Sequence, residues 1–116
     1  MYNGFKNYET YRVILECTDC WTAETIGHEY DYGATVDANI WDAAQLAEEL
    51  VYDVMNEGVE PNSFASSAIT MWLQEVHWRE VAEHILADDV KAHLEALAQQ
   101  ESTTKPLTPS TTLFAA

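Results

Sequence analysis

The chain carries no lysine or arginine between Arg12 and Arg79, and residues 13–78 contain thirteen aspartates and glutamates. Like charges brought together by folding repel one another and weaken the compact state, so an ordinary soluble domain mixes both signs. A fold for this stretch must tolerate uncompensated negative charge over more than half of the 116 residues. The electric field outside such a protein attracts basic surfaces and repels nucleic acid and anionic membranes.

Apolar residues make up 47% of the chain, which is typical of a folded domain rather than of a disordered acidic segment. At 116 residues we expect one domain. Residues 1–6 show no cationic start followed by an apolar run, and no stretch approaches a membrane-spanning length, so we expect a cytoplasmic protein without a signal peptide. The net charge of −15 also fits an acidic structural or interaction domain with a halophilic-type surface, whose repulsion salt would screen.

The spacing of apolar residues predicts a mainly α fold, a compact single-domain helical bundle. The clearest predicted helix covers about residues 40–57, where apolar side chains recur at i, i+3, i+4 and i+7. We expect Asp37 or Asn39 to cap its start and Gly58 to end it. Further helices are predicted at about residues 8–17, 22–30, 64–75 (capped by Asn62 or Ser63) and 78–99.

Two features of the predicted fold stay open. The β-branched residues Val13 and Ile14 leave room for one short β-element near the N-terminus. The pattern does not decide whether the last two helices are continuous or separated at His77. We expect residues 1–101 to form an acidic helical domain and the Ser/Thr/Pro-rich residues 102–116 to form a flexible tail.

Two groups of residues each provide an incomplete set of ligands for a metal site, and the first could also be a redox site. Cys17 and Cys20 have the spacing of a zinc-binding or disulfide-exchange pair, but structural zinc needs four ligands and no second pair follows. The last predicted helix carries a second set, namely His77, Glu80, Glu83 and His84. Di-iron sites in helical bundles need such a motif twice. A small metalloprotein that uses His77, Glu80 and His84 stays an alternative, whereas the leading interpretation includes no metal or cofactor.

Catalysis has little support in the sequence. No serine-nucleophile motif and no glycine-rich phosphate loop is present, and the four glycines are scattered along the chain. The chain is therefore not expected to be an enzyme.

The acidic side of the predicted 40–57 helix is the strongest candidate for function. Glu49, Asp53 and Glu57 are spaced at i, i+4 and i+8, with Asp42 and Glu48 flanking them. Five charges along about 22 Å of helix give one per about 4.5 Å, near the roughly 3.4 Å per phosphate along one DNA strand. We expect four further acids to extend this surface: Glu29, Asp31, Asp37 and Glu60.

Two segments of the chain resemble segments of one protein family. Residues 7–13 (NYETYRV) are similar to its N-x-E-T-W/Y-x-V opening, and residues 75–84 (EVHWREVAEH) to its closing E-V-N-W-x-E-I-A-E-H segment. The family comprises small, acidic, uncharacterised proteins of phages, plasmids and prokaryotic genomes. This chain departs from it at Tyr11, where tryptophan is commoner, and at His77, where asparagine or aspartate is commoner. The resemblance implies a mobile-element setting, in which acidic DNA mimics that block restriction or CRISPR enzymes are frequent.

The residues of these two segments are expected to determine the fold. We expect Glu9 to pair with Arg12, and Glu83 to pair with Arg79. An aromatic core that joins the first and last helices is expected from four residues: Tyr8, Tyr11, Trp72 and Trp78.

The charge, the acidic helix and the resemblance together favour a non-enzymatic inhibitor that mimics nucleic acid. It would block a basic DNA- or RNA-binding groove of a host CRISPR or restriction complex, in the cytoplasm of a cell that hosts a phage or other mobile element. The expected partner is a basic nucleic-acid-binding protein or complex. Direct binding to nucleic acid is opposed by the charge, because affinity for phosphates depends on lysine and arginine. Membrane binding is not expected, and a homodimer stays open.

Overall fold

The structure, a computed structural model, describes residues 2–100 and confirms the mainly α fold. The predicted tail, residues 102–116, lies outside the described residues. No β-strand occurs within residues 2–100, and none of their helices is long and apolar enough to cross a membrane. The elements in chain order are α1 (Tyr8–Val13), a π-helical turn (Ile14–Thr18), α2 (Ala23–Ile26), α3 (Val36–Met55), α4 (Phe64–Leu73), α5 (Trp78–Ile85) and α6 (residues 87–100).

An isolated β-bridge pairs Tyr2 with Phe5 near the N-terminus, away from Val13 and Ile14, at which a β-element was left open. The backbones of Tyr2 and Phe5 exchange two hydrogen bonds, of 2.7 and 2.8 Å. Asn3 and Gly4 between them have φ angles of 46° and 88°, as the two-residue turn of a tight hairpin requires. Val13 and Ile14 are helical, so their β-branched side chains did not make a strand.

Helix α3 begins and ends earlier than the predicted 40–57 helix. Its N-cap is Thr35, whose hydroxyl accepts a 3.0 Å hydrogen bond from the backbone N–H of Ala38, so neither Asp37 nor Asn39 caps it. Threonine in an extended conformation satisfies an N–H that the first helical turn leaves unpaired. The last helical residue is Met55, and Gly58 lies in the turn that follows, with a φ of 77°.

The helices after α3 divide the C-terminal half more finely than the sequence suggested. Of the two predicted caps, Asn62 and Ser63, it is Ser63 that caps α4, with its hydroxyl accepting from the N–H of Ser66 at 3.1 Å. Helix α4 ends at Leu73, so the last two predicted helices do not form one continuous helix through His77. The predicted 78–99 helix is also divided, because the fully buried Leu86 leaves the helical conformation between α5 and α6.

The core is aliphatic, so the expected aromatic core is wrong. Helices α3 and α5 pack along each other and bury alanine, valine, isoleucine and leucine side chains. Tyr8 is exposed, and Trp78 is half-buried beside Tyr52, with ring centroids 6.4 Å apart. The fully buried apolar residues are Ala43, Ala47, Val51, Leu73, Val81, Ala82 and Leu86.

A polar junction joins residues 7–13 to residues 75–84. Asn7 caps α1 by accepting from the N–H of Thr10 at 2.9 Å, and its amide donates to the backbone carbonyl of Glu75 at 2.7 Å. The buried Thr10 hydroxyl accepts from the N–H of His77 at 2.9 Å. The backbone N–H of Lys6 donates to Glu80 at 2.8 Å. These hydrogen bonds hold the start of the chain against the beginning of α5.

The two expected ion pairs of these segments have different outcomes. Arg79 contacts Glu83 at 3.5 Å, as predicted. Arg12 pairs with Glu16, one helical turn later, and the predicted pair with Glu9 does not form. The pKa of the Arg12 guanidinium is raised by its hydrogen bonds to Glu16 and Tyr8.

Candidate functional site

Three of the predicted site residues share one line on the solvent side of α3. Asp42, Glu49 and Asp53 are spaced at i, i+7 and i+11, which places them within about 40° of one another around the helix axis. All three are exposed, and they span about 16 Å along the axis. We call these three residues the acidic α3 face. It carries fewer charges than the row of five that the sequence suggested.

The other two residues of that row lie elsewhere. Glu48 is rotated by about 100° from Glu49, is half-buried, and lies beside Tyr52. Burial, followed by the nearby Glu48 carboxylate, raises the pKa of the Tyr52 hydroxyl, so this tyrosine stays neutral. Glu57 lies beyond the end of α3, in the turn after Asn56, so the predicted i+8 position on the helix is wrong.

Glu24 joins the acidic α3 face from a different element. Helix α2, which carries Glu24, packs on α3, and Glu24, Glu49 and Asp53 surround one shallow depression. Thr22 and Thr25 form a capping box at the start of α2, and Gly27 ends the helix with a φ of 77°, which favours glycine. The sequence did not indicate Glu24 as a site residue, because its neighbours on α3 are set by packing and not by spacing along the chain.

Residues 27–34, the acidic loop, carry Glu29 and Asp31 beside the first half of α3. The buried His28 anchors this loop, with Nδ1 2.7 Å from a carboxylate oxygen of Asp42 and Nε2 3.0 Å from Oδ1 of Asn39. Glu29, Asp31 and Asp42 are exposed around this anchor and line a second shallow depression. The structure therefore brings three predicted site residues together here.

Asn39 fixes the hydrogen-bonding roles around His28. Its amide nitrogen donates to the carbonyl oxygens of Asp31 and Thr35, each at 2.9 Å, so its Oδ1 must be the atom that faces the histidine. That oxygen also accepts from the N–H of Asp31 at 2.8 Å. Both ring nitrogens of His28 thus lie within hydrogen-bond distance of side-chain oxygens of α3, which hold the ring in place.

A second histidine holds the other side of the acidic loop. The hydroxyl of Tyr30 lies 2.9 Å from Nδ1 of the buried His93 on α6, and the ring of Tyr32 packs against the same histidine at 5.2 Å. Burial raises the pKa of the Tyr30 hydroxyl, with smaller effects from Tyr32 and Asp89. Glu29 and Asp31 are therefore presented by a loop that is anchored to both α3 and α6.

The two remaining predicted site residues lie apart from this group. Asp37, in the first turn of α3, accepts a 2.6 Å hydrogen bond from Arg79 of α5. Hydrogen bonding to Asp37 raises the pKa of Arg79, and the pair places a positive charge next to this carboxylate. Glu60 is exposed in the loop before α4. Neither residue lines the depressions around the acidic α3 face.

The partial metal sites are not assembled. Within residues 2–100, no three histidine, cysteine, aspartate or glutamate side chains lie close enough together to hold a metal ion. Glu80 accepts from Lys6, and His84 lies 3.8 Å from Asp19, so these residues point to different neighbours. Cys20 is an exposed free thiol; Cys17 is also free but half-buried, and burial raises the pKa of its thiol.

Comparison of the chain with protein-family models, with curated proteins and with solved structures gives no match. The acidic α3 face and the acidic loop are the features from which a function is inferred.

Proposed function

We propose that this protein is a non-enzymatic inhibitor that binds a basic nucleic-acid-binding protein in place of nucleic acid. The target class is a DNA- or RNA-binding groove of a host restriction or CRISPR complex, as the family resemblance implies. The observation that carries the proposal is the convergence of Asp42, Glu49 and Asp53 on one exposed face of α3. Glu24, Glu29 and Asp31 border the same face.

Electrostatics supports a partner that carries many lysine and arginine residues. Such a groove is built to hold phosphates, and most of its affinity for nucleic acid comes from charge neutralisation. Within residues 13–78 no lysine or arginine is available to neutralise these carboxylates internally. The acidic side chains are held on a long helix and an anchored loop, so little ordering is needed when the partner binds.

Charge reversal on α3 tests the proposal. Wild-type protein, Glu49→Lys/Asp53→Lys and a control, Asp88→Lys/Glu95→Lys, are immobilised and exposed to a prokaryotic lysate, and the bound proteins are eluted with duplex DNA at constant salt. The control residues are exposed on α6, and both variants change the net charge equally. We expect wild type and control to retain proteins that DNA displaces. The α3 variant should retain at least about tenfold less of these proteins, since reversed charges repel a basic groove. Equal retention by both variants contradicts the proposal.

An acidic interaction domain adapted to high salt is the second candidate. It is favoured by carboxylates that lie away from the acidic α3 face, since Glu83, Asp88 and Glu95 are exposed on α5 and α6. For such a domain, the position at which a charge is reversed does not change the retention of partner proteins. The α3 variant and the control would then behave alike in the same experiment.

A further inference from the structure

Helix α4 differs from the other helices within residues 2–100 in carrying no charge. Residues 61–74 contain no aspartate, glutamate, lysine, arginine or histidine, although Glu60 and Glu75 lie directly on either side. Phe64, Ala68 and Met71 are spaced at i, i+4 and i+7 and thus share one face of the helix. Phe64 is 90% exposed and Met71 is 68% exposed, so this face packs against nothing within residues 2–100.

The exposed face extends from α4 to the edge of α1. Phe64, Ala68, Met71 and Trp72 form its apolar part, and the carboxylates of Glu9 and Glu75 form its rim. We call these six residues the α4 surface. Trp72 also borders an apolar cleft with Val13 and Met55, which continues the same surface. Phenylalanine, methionine and tryptophan are enriched in the cores of protein interfaces relative to the rest of the protein surface.

Charge selects the occupant of this surface. The rim carries two carboxylates, and Arg12, which lines the adjoining cleft, is already hydrogen-bonded to Glu16 and Tyr8. A second copy of the chain would bring a further net charge of −15 against these carboxylates. A partner with apolar residues flanked by lysine or arginine would be attracted by the rim and would cover the apolar part. An amphipathic helix presents both on one side.

We propose that the α4 surface binds a basic amphipathic helix of a partner protein. The apolar face of that helix packs on Phe64, Ala68, Met71 and Trp72, and its flanking basic residues pair with Glu9 and Glu75. This surface shares no residue with the acidic α3 face, so it supplies a second contact that does not depend on the mimicry of nucleic acid. Because much of its affinity comes from apolar burial, binding weakens with added salt but persists.

Synthetic helical peptides test this proposal by fluorescence anisotropy. The probe has leucine at i, i+3, i+4 and i+7 and lysine at the flanking positions. One control peptide keeps the leucines and replaces lysine by glutamate, and a second keeps the lysines and replaces leucine by serine. We expect only the leucine–lysine peptide to bind. Binding of the lysine–serine peptide with equal affinity would show a contact by charge alone and overturn the proposal.

Two matched variants locate the binding site of the peptide. Phe64→Ser/Met71→Ser should weaken binding by at least about tenfold, because burial of either side chain is worth that much in an equilibrium constant. Trp41→Ser on α3 removes an apolar side chain that is as exposed as Met71, at 68%, and should leave binding unchanged. Loss of binding only in Trp41→Ser would place the peptide on α3 and contradict the proposal.

A third variant and the oligomeric state complete the test. Glu9→Gln/Glu75→Gln keeps the apolar residues and should weaken binding several-fold, with a smaller dependence on salt. Circular dichroism should show unchanged helix content in every variant, because the replaced side chains lie at the surface. If the wild type sediments as a dimer that Phe64→Ser/Met71→Ser dissociates, the occupant is a second copy and the proposal is wrong.

Discussion

Two buried threonines illustrate how much the contribution of a single hydroxyl to stability depends on its hydrogen-bond partners. Thr10 and Thr18 are both 0% exposed. The hydroxyl of Thr10 donates to Asn7 and accepts from the N–H of His77, so it joins α1 to the start of α5. Thr18, in the π-helical turn, has no hydrogen-bond partner for its hydroxyl oxygen within residues 2–100. A buried hydroxyl without a partner costs stability, whereas a paired one contributes to it.

The same substitution should therefore have opposite effects at the two threonines. Thr10→Val leaves the N–H of His77 without its partner and should lower the free energy of unfolding by about 1–2 kcal/mol. Thr18→Val keeps the shape of the side chain and removes an unpaired polar atom, so stability should be unchanged or higher. Urea denaturation followed by circular dichroism measures both. An equal loss of stability in the two variants would show that side-chain shape, and not hydrogen bonding, determines the effect of the substitution on stability.

At the scale of a helix, α4 shows how a cap and an interior position differ. Ser63 and Ser67 are one helical turn apart, and the N–H of Ser67 donates to the carbonyl of Ser63 at 3.0 Å. The Ser63 hydroxyl also accepts from the N–H of Ser66, whereas Ser67 is exposed inside the helix. One serine satisfies the helix start, and the other occupies a position where alanine is the better helix former.

Replacing each serine by alanine should separate these two roles. Ser63→Ala should destabilise the protein by about 1 kcal/mol, because an N–H in the first turn loses its acceptor. Ser67→Ala should stabilise it by up to about 0.5 kcal/mol through helix propensity. The midpoints of urea denaturation compare the two variants directly. If Ser67→Ala proved the more damaging change, the start of α4 would have to lie elsewhere.

At the scale of the whole molecule, folding and partner binding should respond to salt in opposite directions. The net charge of −15 opposes compaction, and raising the ionic strength from about 0.01 M to about 1 M shortens the screening length from roughly 30 Å to roughly 3 Å. We expect the melting temperature to rise by about 5 °C, which corresponds to about 1 kcal/mol for a domain of this size. Binding of a basic partner to the acidic α3 face should weaken over the same range.

A thermal melt at several salt concentrations measures the first response. Glu49→Lys/Asp53→Lys should show a smaller rise, because part of the repulsion has been removed. A melting temperature that stays constant or falls with salt would mean that charge repulsion does not limit the stability of this fold.

The sequence by itself determined the helical class, the start of α4 and the excess of negative charge. The apolar period along α3 and α4 is a property of neighbouring residues, and so is the serine at position 63 that can accept from the first turn. Charge follows from composition without any fold. The pairing of Arg79 with Glu83 was also predictable, because residues four apart on a helix lie side by side.

Only the tertiary structure decided which acids act together. Glu24 joins the acidic α3 face because α2 packs on α3, and Asp37 pairs with Arg79 because α5 also packs on α3. Asn39 was expected as a cap, but it holds the acidic loop instead. Such partners are separated along the chain, and their meeting depends on how the aliphatic core packs. The periodicity of neighbouring residues carries no information about which distant segments meet, so only the folded structure defines this surface.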